Sequence, residues 1–262
     1  MAAEPQARVA ALRRYPVKGL SGEALAEAAL TRGDYFPGDR LYAIENGPTG
    51  FDPAAPVWMP KIRFLMLMRD EALARLTTRY EDATATLVVS DGGREVARGD
   101  LTTVEGRAAV AAFFARFMGP AMRGAAGVLT APPGFRFTDS RSGFVSLINR
   151  ASVEDLARRI GRPVDPLRFR GNVLLEGLAP WAEFDLVGQT IALGGARLVV
   201  TKRIERCAAT NVDPATGVRD MQIPHALDAL YGHHDCGVYA RVAASGRVAV
   251  GDALAPVAPT LL

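Results

Sequence analysis

The sequence predicts a mainly β protein with a few helices, an α+β fold. Two observations carry this. Short apolar runs recur along the chain with turn residues between them, while only two stretches show helical spacing. The glycine-rich phosphate loops of doubly wound α/β folds, G-x-G-x-x-G and G-x-x-x-x-G-K-[ST], are absent. Many short strands with few helices point to barrels or sandwiches.

Taken in order, Val9 to Tyr15 reads as a strand stopped by Pro16, and Leu41 to Ile44 as a strand stopped by Asn46-Gly47-Pro48. Arg63 to Met68 is a short apolar run, and its brevity favours strand over buried helix. Thr84 to Ser90 alternates, and Asp91-Gly92-Gly93 turns the chain back in a hairpin. The first helix covers Val104 to Met118, with Ala108, Ala111, Phe114 and Phe117 at helical spacing and Gly119-Pro120 as its stop. Pro120 to Ser142 is rich in Gly, Ala and Pro and reads as a connector. A second helix is expected from Ser152, with Leu156 and Ile160 facing inward and Gly161 ending it. Strands then follow at Asn172 to Glu176, Gln189 to Leu193, Ala196 to Thr201, Val238 to Val242 and Val248 to Val250. No internal repeat is visible, and the C-terminus is rich in Ala and Pro.

The chain has 262 residues and 49% of them are hydrophobic, enough for one large or two small domains and unlike a disordered chain. Its 31 Lys+Arg nearly cancel 28 Asp+Glu, for a net charge of +3. Only Lys18, Lys61 and Lys202 are lysines, so 31 − 3 = 28 are arginines, a skew that a GC-rich genome accounts for. Nothing here resembles the clustered basic face of a nucleic-acid binder. No uncharged stretch reaches the length of a membrane helix, and no apolar core follows the N-terminus as in a secretory leader. Two cysteines, Cys207 and Cys236, do not make a disulfide scaffold. A cytoplasmic protein with free thiols is the expectation. Zinc patterns such as H-E-x-x-H and C-x-x-C and the G-x-S-x-G elbow are absent too.

Candidate chemistry therefore sits on a few polar clusters. Cys207 follows Lys202, Arg203 and Arg206 and precedes Asn211-Val212-Asp213-Pro214. Two readings stand open for it. Cationic neighbours favour a thiolate, the form that attacks electrophiles and binds soft metals; equally, it can be a small core hydrophobe. Cys236 lies in His233-His234-Asp235-Cys236, but successive residues of an extended strand face opposite ways, so a turn leading into a strand is preferred to a metal site. Tyr15-Pro16-Val17-Lys18-Gly19, Gly38-Asp39-Arg40 and Arg168-Phe169-Arg170-Gly171-Asn172 each flank a strand. Single basic residues at strand ends are usually solvated, but several converging on one spot would make an anion pocket suited to phosphate.

These clusters, in this order, resemble the MOSC family, named for the C-terminal domain of molybdenum-cofactor sulfurases. Tyr15-Pro16-Val17-Lys18 is similar to the start of the family's N-terminal β-barrel domain, and Gly38-Asp39-Arg40 to its G-x-D-R segment. The MOSC domain itself is resembled by Arg168 to Asn172, Trp181-Ala182-Glu183, Arg206-Cys207, Asn211 to Pro214 and Val250-Gly251-Asp252. Gly19 stands where the family often has Ser, and Gly171 where it often has Pro.

The resemblance implies a MOSC-type β-barrel core packed with an N-terminal β-barrel domain. The expected division is residues 1–102 for that barrel, 103–140 for helix and connector, and 141–262 for the MOSC domain. It also implies a bound molybdenum cofactor, with Cys207 as metal ligand and catalytic residue. Lys18, Arg40 and Arg170 would hold the pterin phosphate. Asn172 and Thr210 would hydrogen-bond the pterin or orient the Cys207 loop, with Arg206, next to the ligand, a further cofactor-binding residue. Asn149 and Ser152 resemble a further cofactor-contacting stretch. Asp213 is a candidate proton shuttle, against a turn-capping role before Pro214. The activity implied is reduction of small N-hydroxylated compounds, with electrons from a separate ferredoxin or flavin reductase and no membrane or nucleic-acid partner. The alternatives are a sulfur carrier holding a persulfide on Cys207 and a cofactor storage protein. Among the scarce residues, Lys61 and Asn46 have no place in this scheme.

Overall fold

The structure is a computed structural model that describes residues 7–141 and 144–257. The N-terminal segment read above for a leader, Ser142 at the end of the expected connector, and the last residues of the Ala/Pro-rich tail lie outside the described residues. The protein is mainly β with three α-helices among the described residues.

The strands are β1 (Arg8–Arg14), β2 (Glu23–Leu25), β3 (Glu27–Leu30), β4 (Tyr42–Ile44), β5 (Leu76–Glu81), β6 (Thr86–Asp91), β7 (Arg94–Asp100), β8 (Val128–Thr130), β9 (Val145–Asn149), β10 (Val173–Glu176), β11 (Thr190–Leu193), β12 (Ala196–Glu205), β13 (Asp235–Ala244), β14 (Gly246–Ala249) and β15 (Leu254–Pro256). The helices are α1 (Val104–Met118), α2 (Arg150–Ile160) and α3 (Ile223–Tyr231). An eight-stranded sheet, ordered β15-β11-β12-β13-β9-β10-β1-β2, curls into a half-barrel. Its neighbours are antiparallel except β9 and β10, which run parallel. A parallel pair needs a crossover, and α2 supplies it. Inward residues of these strands, among them Leu147, Val173, Leu198, Val200 and Ala240, form the core under the sheet.

The hairpin at Asp91-Gly92-Gly93 is present and joins β6 to β7, with Gly92 and Gly93 both at positive φ, where a glycine costs least. With β5 these strands make a three-stranded sheet. Helix α1 covers it with Val110, Phe113 and Phe114. Thr103 caps α1 by accepting a hydrogen bond from the Gly106 amide at 3.0 Å.

Four expectations are corrected. Arg63 to Met68 is not a strand. A 3-10 turn covers Lys61–Arg63, and the Asp70 carboxylate accepts from the Met66 amide at 3.0 Å, so the run is buried as a tied turn. The connector holds β8, paired with β4. Helix α2 starts at Arg150, because the Asn149 side chain caps it, and Ser152 is already inside. Helix α3 was not anticipated, although Pro224 in its first turn and Gly232 just past its end are the ordinary bounds of a helix. Among the described residues no helix is long and apolar enough to cross a membrane.

Candidate functional site

Directly after β1 the chain is held by backbone pairing. The Lys18 amide donates to the Tyr42 carbonyl at 2.8 Å, and Gly19 follows at φ +82. A Cβ on Gly19 would lie 2.8 Å from the Leu65 carbonyl oxygen. Close backbone approach and a left-handed φ thus both require glycine here. This turn sends Lys18 inward, where it is 6% exposed. Its ammonium donates to the Phe137 carbonyl at 3.0 Å and pairs with Asp139. Burial lowers the Lys18 pKa, with Asp139 opposing. Burial would raise the Asp139 pKa, but Lys18 and Lys61 outweigh it and hold the carboxyl at about 2.

Arg40 and Arg170 reach the same place by an uncommon backbone. Their φ values are 47° and 52°, two of four non-glycine residues at positive φ among the described residues. The Arg40 amide donates to the Tyr15 carbonyl at 2.7 Å, and its guanidinium pairs with Asp39 and donates to the Arg170 carbonyl at 3.2 Å. Arg170 has no carboxylate partner among the described residues; its guanidinium lies 4.3 Å from the centre of the Tyr15 ring. Burial and the neighbouring Arg40 lower its pKa to about 10.

Strand β12 delivers Arg206 and Cys207. The Arg206 guanidinium is fixed from Nε to the Cys236 carbonyl at 2.7 Å and from Nη1 to the Phe169 carbonyl at 2.9 Å, and burial lowers its pKa. After Cys207 a 3-10 turn spans Ala208–Asn211. Thr210 closes it, its amide and its hydroxyl both donating to the Cys207 carbonyl, at 3.0 and 2.9 Å. The loop beyond is pinned by buried Arg168, which donates to the Asn211 carbonyl and pairs with Asp213 and Asp220. Arg219 ties the same loop to the first half of the chain, donating to the carbonyls of Ala208, Leu67 and Met68.

These elements enclose a cavity of about 330 Å³. Lys18, Arg40, Arg170, Asn172, Arg206, Cys207 and Thr210 all line it. Asn149, Ser152 and Asp213 do not. Asn149 and Ser152 both donate to the buried Glu183 carboxylate, at 3.0 and 2.7 Å. Asp213 accepts from the Ala215 and Thr216 amides and pairs with Arg168, a turn-capping arrangement. Asn172 lines the cavity while its carboxamide serves the fold, accepting from the Ser146 hydroxyl at 2.8 Å and donating to the Arg13 carbonyl at 3.2 Å. Cys236 is fully buried among α2 and α3, and burial pushes its thiol up to about 12, which makes it an inert core residue. His233 lies in a turn and stacks on Tyr231.

Sequence reasoning missed several lining residues: Lys61, Asp139 and Tyr239. Lys61 is the main surprise, since it reaches the Cys207 side chain. Burial would lower its pKa, but Cys207 and Asp139 beside it outweigh burial and raise it. No motif marks these residues; only the fold brings them in.

Cations prevail around the cavity: Lys18, Arg40, Lys61, Arg168, Arg170, Lys202 and Arg206 face Asp39, Asp139 and Glu205. An arginine with no carboxylate partner among the described residues, a buried lysine and a half-buried thiol make a donor set for an anionic, phosphate-bearing group with a soft-metal end. A molybdenum–pterin cofactor is of that chemistry, so the residues fit it.

The MOSC N-terminal beta barrel domain matches residues 6–126 and the MOSC domain residues 135–255. Over 90 residues the chain is 32% identical to mitochondrial amidoxime-reducing component 1 of Mus musculus and 30% identical to that of Homo sapiens. The shared stretch is 34% of this chain and only 25% and 26% of those proteins, about a quarter of their length. The YUAD protein of Bacillus subtilis is similar over 95% of this chain and 94% of its own, with a TM-score of 0.45 at 12% identity. For the YiiM protein of Geobacillus stearothermophilus the TM-score is 0.37 at 22% identity, over 45% of this chain and 56% of that one. The chain is thus a member of the MOSC family, carrying its N-terminal beta barrel domain followed by the MOSC domain.

Proposed function

We propose that the protein binds a molybdenum cofactor in this cavity and reduces small N-hydroxylated compounds to the corresponding N–H compounds and water. The observation that carries the reading is that one cavity unites the Cys207 thiol with the cations Lys18, Arg40 and Arg170. When bound, the cofactor supplies a two-electron metal centre. The amidoxime-reducing relatives support the substrate class.

The chain's own residues divide the work. Lys18, Arg40 and Arg170 hold the cofactor phosphate, with the geometry fixed before binding. Cys207 ligates the metal, and Thr210 and Arg168 hold its loop in place. Reduction of N–OH to N–H and water consumes two electrons and two protons. The electrons come from a separate ferredoxin or flavin reductase. Asp213 is spent on its turn, while Lys61, beside both Cys207 and Asp139, lines the cavity. With its carboxyl held at about 2, Asp139 is ionised at neutral pH and orients Lys18 rather than storing a proton.

The half-buried Cys207 also suits a persulfide, and one experiment separates the readings. Cofactor-loaded protein is assayed with an amidoxime and a ferredoxin/reductase pair. Amidine formation that disappears in Cys207→Ala supports the reductase. Loaded protein that turns over no N-hydroxylated compound, but carries cyanide-labile sulfur on Cys207, overturns it in favour of sulfur transfer.

A further inference from the structure

We infer that Tyr15 is the positioning residue of the anion site, and that Gly22 sets where its ring lies. The inference rests on the proposed reading only for what the site binds. Tyr15 is 3% exposed. Its ring carries two guanidinia: Arg40 lies 4.6 Å and Arg170 4.3 Å from the ring centre. Burial, and after it repulsion from the neighbouring Arg40 charge, lower the Arg170 pKa. A buried aromatic face offsets that repulsion by attracting both cations at once.

The rest of the local structure ties the Tyr15 backbone to the same residues. The Tyr15 amide donates to Asp39 Oδ1 at 2.7 Å, the same carboxylate that pairs with Arg40. The Tyr15 carbonyl accepts from the Arg40 amide at 2.7 Å, and Arg40 reaches the Arg170 carbonyl. Both arginines hold left-handed backbone conformations that the fold must over-determine. Lys18 follows Tyr15 by three residues on the same turn. Among the described residues no hydrogen bond of the Tyr15 hydroxyl joins this arrangement, so the ring does the positioning.

Gly22 completes the seat. A Cβ there would lie 2.5 Å from Tyr15 Cε1, 2.8 Å from Cδ1 and 2.9 Å from Cζ. Its φ is not left-handed, so alanine brings no backbone strain there, only contact with the ring. Gly22→Ala therefore displaces the ring, and with it both guanidinia, from a position outside the cavity lining.

The test titrates inorganic phosphate by calorimetry into full-length protein made in cells that lack the molybdenum cofactor, so that the anion site is free, with melting temperature measured alongside and molybdenum content measured on protein from cofactor-competent cells. Tyr15→Phe is expected to keep wild-type affinity. Tyr15→Leu and Gly22→Ala are expected to bind phosphate on the order of tenfold more weakly while still folding. Wild-type affinity in folded Gly22→Ala, or a loss in Tyr15→Phe equal to that in Tyr15→Leu, overturns the inference. So does a wild-type protein that binds no phosphate. Wild-type protein that binds phosphate through Tyr15 yet acquires no molybdenum in cofactor-competent cells leaves the inference standing and sinks the cofactor reading instead.

Discussion

Lys18 occupies a nearly closed site, and the carboxylate that balances it is half-exposed Asp139. The Asp139 pKa is depressed to about 2, below the roughly 3.9 of an unfolded aspartate. A depressed acid contributes stability that is fully present above its unfolded pKa and lost as pH falls through the folded one. The wild type should therefore melt higher than Asp139→Asn at pH 6, with the gap closing between about pH 4 and pH 2. Thermal melts across that range check this, and a gap that stays constant contradicts it. Residues of this kind divide by how far their partners lie in sequence. Lys18, Arg40, Arg170 and Cys207 sit in local motifs and were legible. Lys61 and Asp139 were not, because each takes its role from a partner far along the chain. Asn149 and Ser152 show the opposite case: they look available in sequence, but buried Glu183 engages both.

Strand β13 shows how an element aims the site. Its pairing with β12 slips between Arg203 and Glu205, with Gly237 at φ +79 on the β13 side. A bulge of this type breaks the two-residue alternation, so Cys236 packs with α2 and α3 while Val238 packs under the main sheet. The Cys236 carbonyl then faces Arg206. A Cβ on Gly237 would meet the Leu147 carbonyl oxygen at 2.5 Å and Arg206 Nη2 at 3.2 Å. Gly237→Ala should cost about 1–3 kcal/mol of stability, read from denaturant unfolding, and should also weaken cofactor retention by moving Arg206. An unchanged midpoint contradicts the bulge's role. The alternation of Val238, Ala240 and Val242 was readable in advance, whereas the bulge depends on the register of β12. Arg63 to Met68 failed for a related reason: burial alone makes a run apolar, and here a tied turn buries it without a strand partner over its length.

At the scale of the whole molecule, the two halves share one sheet. Strands β1 and β2 come from the first half, yet β1 pairs with β10 and closes the series from β9 to β13. Arg219 adds a second tie, from the Cys207 loop to Leu67 and Met68. The halves should therefore unfold in one transition, with calorimetric and van't Hoff enthalpies equal; two resolved transitions contradict this. The mainly β class was legible from turn spacing. The sharing of a sheet was not, since strand order is a tertiary property.

We propose that the thiol and three cations which this shared architecture brings to one cavity hold a molybdenum cofactor. The most direct test is the molybdenum and pterin content of the purified protein from cofactor-competent cells. About one of each is expected per wild-type chain, with metal lost in Cys207→Ala and both lost when Lys18 and Arg170 are replaced together. Wild-type protein free of molybdenum and pterin, or full metal in Cys207→Ala, would contradict it.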